Sequence, residues 1–179
     1  VRSLWQPGDG AQSISLNWTG PASIAQTVPT QAGNCYRLSF KLAAESPAAR
    51  ATMRTMNVLW NGGIVASLAF DPAGHTNSTM GWETHQMTVV AVGNDELRLQ
   101  STTVDNWGPA LDAVSVVLSA AVGDVNCDCS VDLSDLAVLL THFGTPQGAG
   151  PADGDLNGDG SVDLTDLSML LANFGTACA

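Results

Sequence analysis

The sequence contains one segment whose chemistry constrains the chain more than any other. Residues 155–166 read DLNGDGSVDLTD, with oxygen-bearing side chains at positions 1, 3, 5, 9 and 12 and Gly at position 6. This is the spacing of a calcium loop of the EF-hand type, in which alternate side chains and the carbonyl of position 7 face one hard cation. The predicted Ca²⁺ ligands are Asp155, Asn157, Asp159, Ser161 through its carbonyl, Asp163 and Asp166.

The same pattern occurs once more upstream. The predicted ligands of this first loop are Asp124, Asn126, Asp128, Ser130 through its carbonyl, Asp132 and Asp135. The repeat continues beyond each loop, because LAVLLTHFGT at 136–145 parallels LSMLLANFGT at 167–176. Two copies with matched downstream segments indicate a tandem duplication rather than an isolated acidic turn.

Negative charge is concentrated around these loops. From Gly123 onward there are nine Asp and no Lys or Arg, whereas all six basic residues precede Gly123. Such carboxylates repel one another unless cations bind the folded form, so we expect this part to fold poorly without Ca²⁺. The acidic balance argues against nucleic acid and anionic membrane surfaces as partners. No apolar run approaches the ~20 residues that span a bilayer.

Each loop is followed by an apolar stripe at helical spacing, but neither loop is preceded by one. The stripes are Leu133, Leu136, Leu139, Leu140 and Phe143, and Leu164, Leu167, Leu170, Leu171 and Phe174. We expect two helices that end at the Gly after each Phe and pack their apolar faces on each other. The segments before the loops, 114–118 and 146–154, are strand-like and turn-rich, so each repeat is a calcium loop with an exiting helix only.

The repeats GDVNCDCSVDLSDL and GDLNGDGSVDLTDL resemble the type I dockerin domain over residues 123–176. The resemblance implies two Ca²⁺ ions, two antiparallel helices and docking onto a cohesin-type protein partner. It also implies that the last Asp of each loop is a bidentate ligand and that position 9 acts through water.

Two features depart from cellulosomal dockerins. Loop positions 10 and 11 are Leu-Ser at 133–134 and Leu-Thr at 164–165, where a Ser-Thr pair is usual. Cys127 and Cys129 occupy positions 4 and 6 of the first loop, where Gly is expected. A left-handed backbone costs a non-Gly residue roughly 1 kcal/mol or more, which a disulfide could offset.

Cys35, Cys127, Cys129 and Cys178 allow about three complete pairings. We favour a bond from Cys178 to Cys127 or Cys129, because antiparallel duplicated units bring their ends together. Cys35 either pairs with the remaining loop cysteine or is a small buried strand residue. Cysteines, calcium chemistry and a low Lys content favour a secreted, extracellular or cell-surface protein.

The region before the loops predicts an all-β domain. Short alternating or apolar runs are separated by Gly, Pro, Asn and Asp turns, which is typical of a β-sandwich. The runs cover residues 13–18, 23–28, 35–42, 56–60, 64–70, 83–92, 96–100 and 113–118. A helical turn is indicated only at 45–51.

Five segments of this region resemble the galactose-binding-like jelly roll of extracellular choice-of-anchor proteins. They are WQPGDGAQSISL at 5–16, SIAQTV at 23–28, CYRLSF at 35–40, GWE at 81–83 and GPALDAVSV at 108–116. The resemblance implies a non-catalytic secreted sandwich that contacts carbohydrate. Family members begin with another strand, so either this sheet is short of an edge or another molecule completes it.

Three tryptophans beside Gly or Pro turns, Trp5, Trp82 and Trp107, are candidates for stacking on sugar rings. The alternative interpretation is that these tryptophans are core residues or anchor loops. No catalytic motif is present, and nothing in the sequence brings two of the carboxylates Asp9, Glu83 and Asp112 together. We therefore expect no enzymatic activity.

The sequence predicts a mainly β chain with two domains. Residues 1–120 form a galactose-binding-like jelly-roll sandwich, and residues 121–179 form a small α dockerin-like domain with two half-EF-hand calcium loops. The predicted function is calcium-dependent adhesion or assembly through a cohesin-like scaffold, with glycan binding by the sandwich. The alternative is a structural subunit of an extracellular fibre or surface layer, in which a neighbouring copy completes the sheet edge.

Overall fold

The computed structural model describes residues 4–45, 52–119 and 121–177. Within these ranges the chain forms eight strands, two α-helices and a short 3₁₀ helix at Pro151–Asp153. The strands are β1 (Ile14–Ser15), β2 (Ser23–Val28), β3 (Cys35–Ala44), β4 (Arg54–Trp60), β5 (Gly63–Phe70), β6 (Glu83–Val90), β7 (Asp95–Ser101) and β8 (Pro109–Leu118). The helices are α1 (Leu133–His142) and α2 (Leu164–Ala172).

The strands form two four-stranded antiparallel sheets, in the orders β1-β8-β3-β6 and β2-β7-β4-β5. Apart from the β4–β5 hairpin, consecutive strands alternate between the two sheets, as they do in a jelly roll. The predicted mainly β sandwich followed by a small helical domain is therefore confirmed. The helical turn predicted at 45–51 falls largely outside the described residues.

Alternation along the strands builds the core of the sandwich. In β3, Leu38, Phe40 and Leu42 are fully or almost fully buried, and in β4 Met56 and Val58 are buried. Successive side chains of a strand point to opposite faces, so every second residue of these strands enters the core. Burying one such side chain contributes about 1.5–3 kcal/mol.

The chain divides into two compact units. The first comprises Val1–Val28, Leu38–Met87 and Asp95–Val116, and the second comprises Pro29–Arg37, Thr88–Asn94 and Val117–Ala179. The second unit therefore contains both helices together with the start of β3 and the ends of β6 and β8. The sequence boundary at residue 120 stays a proposal for where one domain passes into the next.

Both helices begin at an Asp whose side chain caps the first turn. Asp132 Oδ1 accepts a hydrogen bond from Ser134 N at 2.7 Å, and Asp163 Oδ1 accepts one from Thr165 N at 2.6 Å. An N-cap of this kind contributes about 1 kcal/mol. The cap fixes the point at which each calcium loop passes into its helix.

Fewer helix residues are buried in the core of the helical part than the sequence predicts. Leu139 and Leu170 are completely buried. The loops add the buried valines Val125, Val131 and Val162 to this core. The loop valines occupy space that we expected the partner helix to fill. Each helix therefore buries one Leu fully and leaves most of its apolar stripe outside the core.

Six residues of the predicted helix–helix contact are instead between 42% and 72% exposed. The prediction that both whole faces pack on each other is therefore wrong for these residues. They form two equivalent sets, which we call the apolar triads: Leu133, Leu140 and Phe143 on the first repeat, and Leu164, Leu171 and Phe174 on the second.

Candidate metal centre

The first position of each loop is a buried carboxylate around which the loop winds. Asp124 is 8% exposed and Asp155 is 4% exposed. Asp124 Oδ2 accepts from Cys129 N at 3.0 Å, and Asp155 Oδ2 accepts from Gly160 N at 2.9 Å. Burial raises the pKa of Asp124, because desolvation disfavours its charged form.

The last position of each loop is a completely buried Asp on the first turn of the helix. Asp135 Oδ1 accepts from Val125 N at 2.7 Å, and Asp166 Oδ1 accepts from Leu156 N at 2.9 Å. The other oxygen of each carboxylate accepts the backbone N–H of the helix N-cap at 2.9 Å. These contacts close each loop from its start to its end.

The middle positions repeat the same geometry in both loops. Asn126 Oδ1 accepts from Asp128 N at 2.9 Å, and Asn157 Oδ1 accepts from Asp159 N at 2.8 Å. A hydrogen bond from the Ser161 side chain lowers the pKa of Asp159, so this carboxylate stays ionised. The amide side chains of both loops thus accept the backbone N–H two residues further on, and the ligand roles of these residues remain a prediction.

These residues fit Ca²⁺ in donor chemistry and in charge. Hard oxygen donors are the ligands that calcium prefers, and buried carboxylates without a counter-charge cost several kcal/mol each. In the described part of the chain, no three Asp, Glu, His or Cys side chains are placed to hold a metal by themselves. Each predicted ligand set nevertheless contains four Asp, together with amide and main-chain oxygens. A bound Ca²⁺ ion would supply positive charge to a part of the chain that contains no Lys or Arg after Gly123.

A disulfide joins Cys35, at the start of β3, to Cys127 in the first loop. Cys127 and Cys129 have φ of 64° and 70°, close to the 76° and 86° of Gly158 and Gly160 in the second loop. The first loop therefore adopts with two L-residues the left-handed backbone that the second adopts with glycine. Such a conformation costs about 1 kcal/mol or more per residue.

The structure selects one of the alternatives for Cys35, namely a bond to a loop cysteine. Cys129 is in no disulfide with another described cysteine, and Cys178 lies outside the described residues. Because Cys127 is bonded to Cys35, Cys129 is the remaining predicted partner of Cys178, and this second disulfide stays a prediction. The antiparallel bridge between Ser130 and Ala177 supports it, because these two residues are the chain neighbours of the two cysteines.

Two of the candidate sugar-binding tryptophans are held by hydrogen bonds of their indole N–H groups. Trp5 Nε1 donates to Ser13 Oγ at 2.7 Å, and Trp82 Nε1 donates to the Gln6 carbonyl at 3.1 Å. The ring of Trp82 lies so close to Gly8 that a Cβ there would meet it at 2.8 Å. Both tryptophans are partly buried and anchor the segment before β1.

Trp107 is also partly buried, whereas Trp18 is 83% exposed. Sequence reasoning passed over Trp18. The same turn signal was available for it, because Gly20 and Pro21 follow closely.

Of the three candidate carboxylates, Asp112 contacts the main chain of Asp9. Asp112 Oδ2 accepts from Asp9 N at 2.9 Å and from Gly8 N at 2.7 Å, so it holds the turn that carries Asp9. Glu83 instead lies 3.5 Å from His85 Nε2. The contacts of Asp112 are those of a residue that fixes a loop.

A jelly-roll sandwich joined to a duplicated loop–helix calcium module defines a two-module protein. The chain belongs to the family described as Protein of unknown function (DUF642), which matches residues 2–117. It also carries a Dockerin type I domain at residues 122–174. Dockerins of this type bind calcium and dock onto cohesin modules. A comparison with curated proteins found no match.

Solved structures with a similar sandwich include family 35 carbohydrate binding modules. One from an environmental isolate is 14% identical, with a TM-score of 0.50 over 65% of this chain and 80% of that chain. One from Clostridium thermocellum is 21% identical, with a TM-score of 0.49 over 64% and 84%. The likeness to the module from the environmental isolate, at a TM-score of 0.50, shows the fold of the sandwich. Among the described helices, none is long and apolar enough to cross a membrane.

Proposed function

We propose that this chain is a secreted, non-catalytic assembly module. Its dockerin domain, locked by two Ca²⁺ ions, attaches the chain to a cohesin-type scaffold, and its sandwich binds carbohydrate. The observation that carries the proposal is the pair of matched calcium loops, each followed by a helix with an exposed apolar triad. The first ion would be held by Asp124, Asn126, Asp128, Ser130, Asp132 and Asp135, and the second by Asp155, Asn157, Asp159, Ser161, Asp163 and Asp166.

The apolar triads support a docking surface on the helices. Leu133 and Leu164 are 71% and 72% exposed, and Leu140 and Leu171 are 53% and 54% exposed. Large apolar side chains that stay exposed together mark sites of protein interaction. Because both repeats present the same side chains to the same degree, either helix can offer the surface to a partner.

Docking is expected to depend on these side chains. The double variant Leu140→Lys with Leu171→Lys should capture purified type I cohesin modules about tenfold more weakly than the wild type in calcium. Surface plasmon resonance measures this directly. Gln147→Lys is the matched control, because Gln147 is exposed in the same module and lies outside both helices and both triads. Equal capture by the double variant would show that the triads are not the docking surface.

The sandwich supports carbohydrate binding through its fold alone. It shares its architecture with a family 35 carbohydrate binding module at a TM-score of 0.50. Such folds place their binding residues on loops that a rigid pair of sheets holds in position. The carboxylates of Asp9 and Asp112 accept hydrogen bonds from backbone N–H groups of the loop before β1. These contacts support a non-catalytic role for both residues.

An open sheet edge favours a second candidate function, that of a structural subunit. In the described residues β1 pairs with β8 through Ile14↔Leu111 and Ser15↔Ala110, whereas β8 runs on to Leu118. A strand from a neighbouring copy could pair with the uncovered part of β8. This candidate predicts dimers or larger species in sedimentation velocity with calcium present. A strictly monomeric protein at all concentrations would eliminate it.

A further inference from the structure

Two loops of the sandwich that are joined by hydrogen bonds each carry a highly exposed apolar side chain. Trp18, between β1 and β2, is 83% exposed, and Val104, between β7 and β8, is 89% exposed. A Trp so exposed loses the burial that normally stabilises an indole ring. Its position therefore needs an explanation other than the stability of the fold.

The residue before Trp18 ties its loop to the loop of Val104. Asn17 is 3% exposed, and its Nδ2 donates to the carbonyls of Thr103 at 2.9 Å and Asp105 at 2.7 Å. Gly108 leaves room for this side chain, because a Cβ there would lie 2.5 Å from Asn17. A buried amide with two main-chain contacts fixes where the Trp18 backbone lies.

An ion pair between a buried Arg and a partly exposed Asp fixes the second loop. Arg54 is completely buried, and its Nη1 donates to Asp105 Oδ2 at 2.9 Å and to Thr52 Oγ1 at 3.0 Å. Asp105 Oδ1 also accepts from Trp107 N at 2.8 Å. The two loops are therefore held in place before any ligand arrives, which lowers the entropy lost on binding.

Among the described residues, the charged groups on or against these two loops include the carboxylates of Asp105 and Glu45 and the guanidinium of Arg54. The Asp105 side chain is 31% exposed, and Glu45 Oε2 lies 3.2 Å from Ser15 Oγ, whose single proton is shared with the Asn17 carbonyl at 3.1 Å. The Arg54 guanidinium is buried and paired with Asp105. Carboxylates accept hydrogen bonds from sugar hydroxyls and repel carboxylated sugars.

We propose that Trp18 is the stacking platform of a carbohydrate site on the sandwich, and that this site takes neutral polysaccharides in preference to uronic acid polymers. The proposal rests on the carbohydrate-binding function proposed above and names its site. Trp5, Trp82 and Trp107 stay outside this site, since they anchor loops from partly buried positions.

Affinity gel electrophoresis of the full chain in calcium tests the proposal. The probes are a neutral β-glucan, galactomannan and arabinoxylan, with polygalacturonate as the acidic polymer. Trp18→Ala should weaken retardation by the neutral polymer that the wild type binds by about tenfold or more, as loss of a Trp anchor does at other binding sites. Trp18→Phe should retain most of the affinity, because the ring face remains. Trp82→Phe is the matched control and should bind as the wild type does.

The outcomes separate this proposal from the general function. A wild type that binds none of the polymers overturns carbohydrate binding and this site with it. A wild type that binds, with Trp18→Ala equal to it, overturns the site alone. Preference for polygalacturonate overturns the assigned class of ligand. Loss of cohesin capture in Trp18→Ala, with polysaccharide binding intact, would assign Trp18 to protein docking and also overturn the proposal.

Discussion

Chelation of calcium is expected to unfold the dockerin domain while the sandwich stays folded. At EDTA excess, the far-UV circular dichroism of α1 (Leu133–His142) and α2 (Leu164–Ala172) should largely disappear. Four carboxylates of the two loops are at most 8% exposed, and no Lys or Arg follows Gly123 to compensate them. One ion at a hundred times its Kd contributes about 2.7 kcal/mol, so two ions supply stability comparable with that of a small domain.

The tryptophans provide an internal control for this experiment. All five precede the calcium loops, so tryptophan fluorescence reports on the sandwich and not on the helices. We expect the emission maximum to stay constant in EDTA and the helical signal to return when Ca²⁺ is added. Helix content that is equal in chelator and in calcium would contradict the role assigned to the ions.

Breaking the Cys35–Cys127 bond is expected to have the second largest effect. The bonded residues are 92 apart in sequence, and closing a loop of that size stabilises a fold by roughly 4 to 5 kcal/mol in the chain-entropy model. Cys127→Ser should therefore lower the free energy of unfolding of the dockerin domain by several kcal/mol. Cys127→Gly should be less damaging by about 1 kcal/mol, because glycine adopts a φ of 64° without strain. Urea unfolding in calcium measures both variants.

The second loop supplies a control without a disulfide. Gly158 has a φ of 76° at the position equivalent to Cys127, so Gly158→Ala adds the backbone strain alone. This variant should lose about 1 kcal/mol. Peptide mapping of the non-reduced protein should recover the Cys35–Cys127 peptide, and it also tests the predicted bond between Cys129 and Cys178. If Cys127→Ser unfolds at the wild-type urea concentration, the bond does not stabilise the loop.

Short-range chemistry made most of the fold predictable. Each of the eight predicted runs coincides with a strand, because alternation and turn residues act within a few positions. The dockerin domain was predictable for the same reason, since the motif of each repeat lies in one short segment. Observed strand ends differ where tertiary contacts intervene, as at β1, which ends at Ser15 ahead of the buried Asn17.

Features that depend on contacts between distant residues were harder to predict from the sequence. The sequence left the partner of Cys35 open, because only folding places the start of β3 beside the first calcium loop. Helical spacing marked ten apolar residues but could not show that Val125, Val131 and Val162 would fill the interior. The turn after Trp18 was visible in the sequence, but the link from Asn17 to the loop between β7 and β8 was not, because those residues lie far apart in the chain.

The number of calcium ions that the folded chain holds tests the central claim most directly. Native mass spectrometry of the full chain, after exchange into a volatile buffer with micromolar Ca²⁺, resolves each bound ion as a discrete mass increment. If calcium locks the dockerin domain, we expect two ions in the wild type. We expect one ion after Asp166→Ala, which removes the last predicted ligand of the second loop. A wild type that holds one ion or none would contradict that claim.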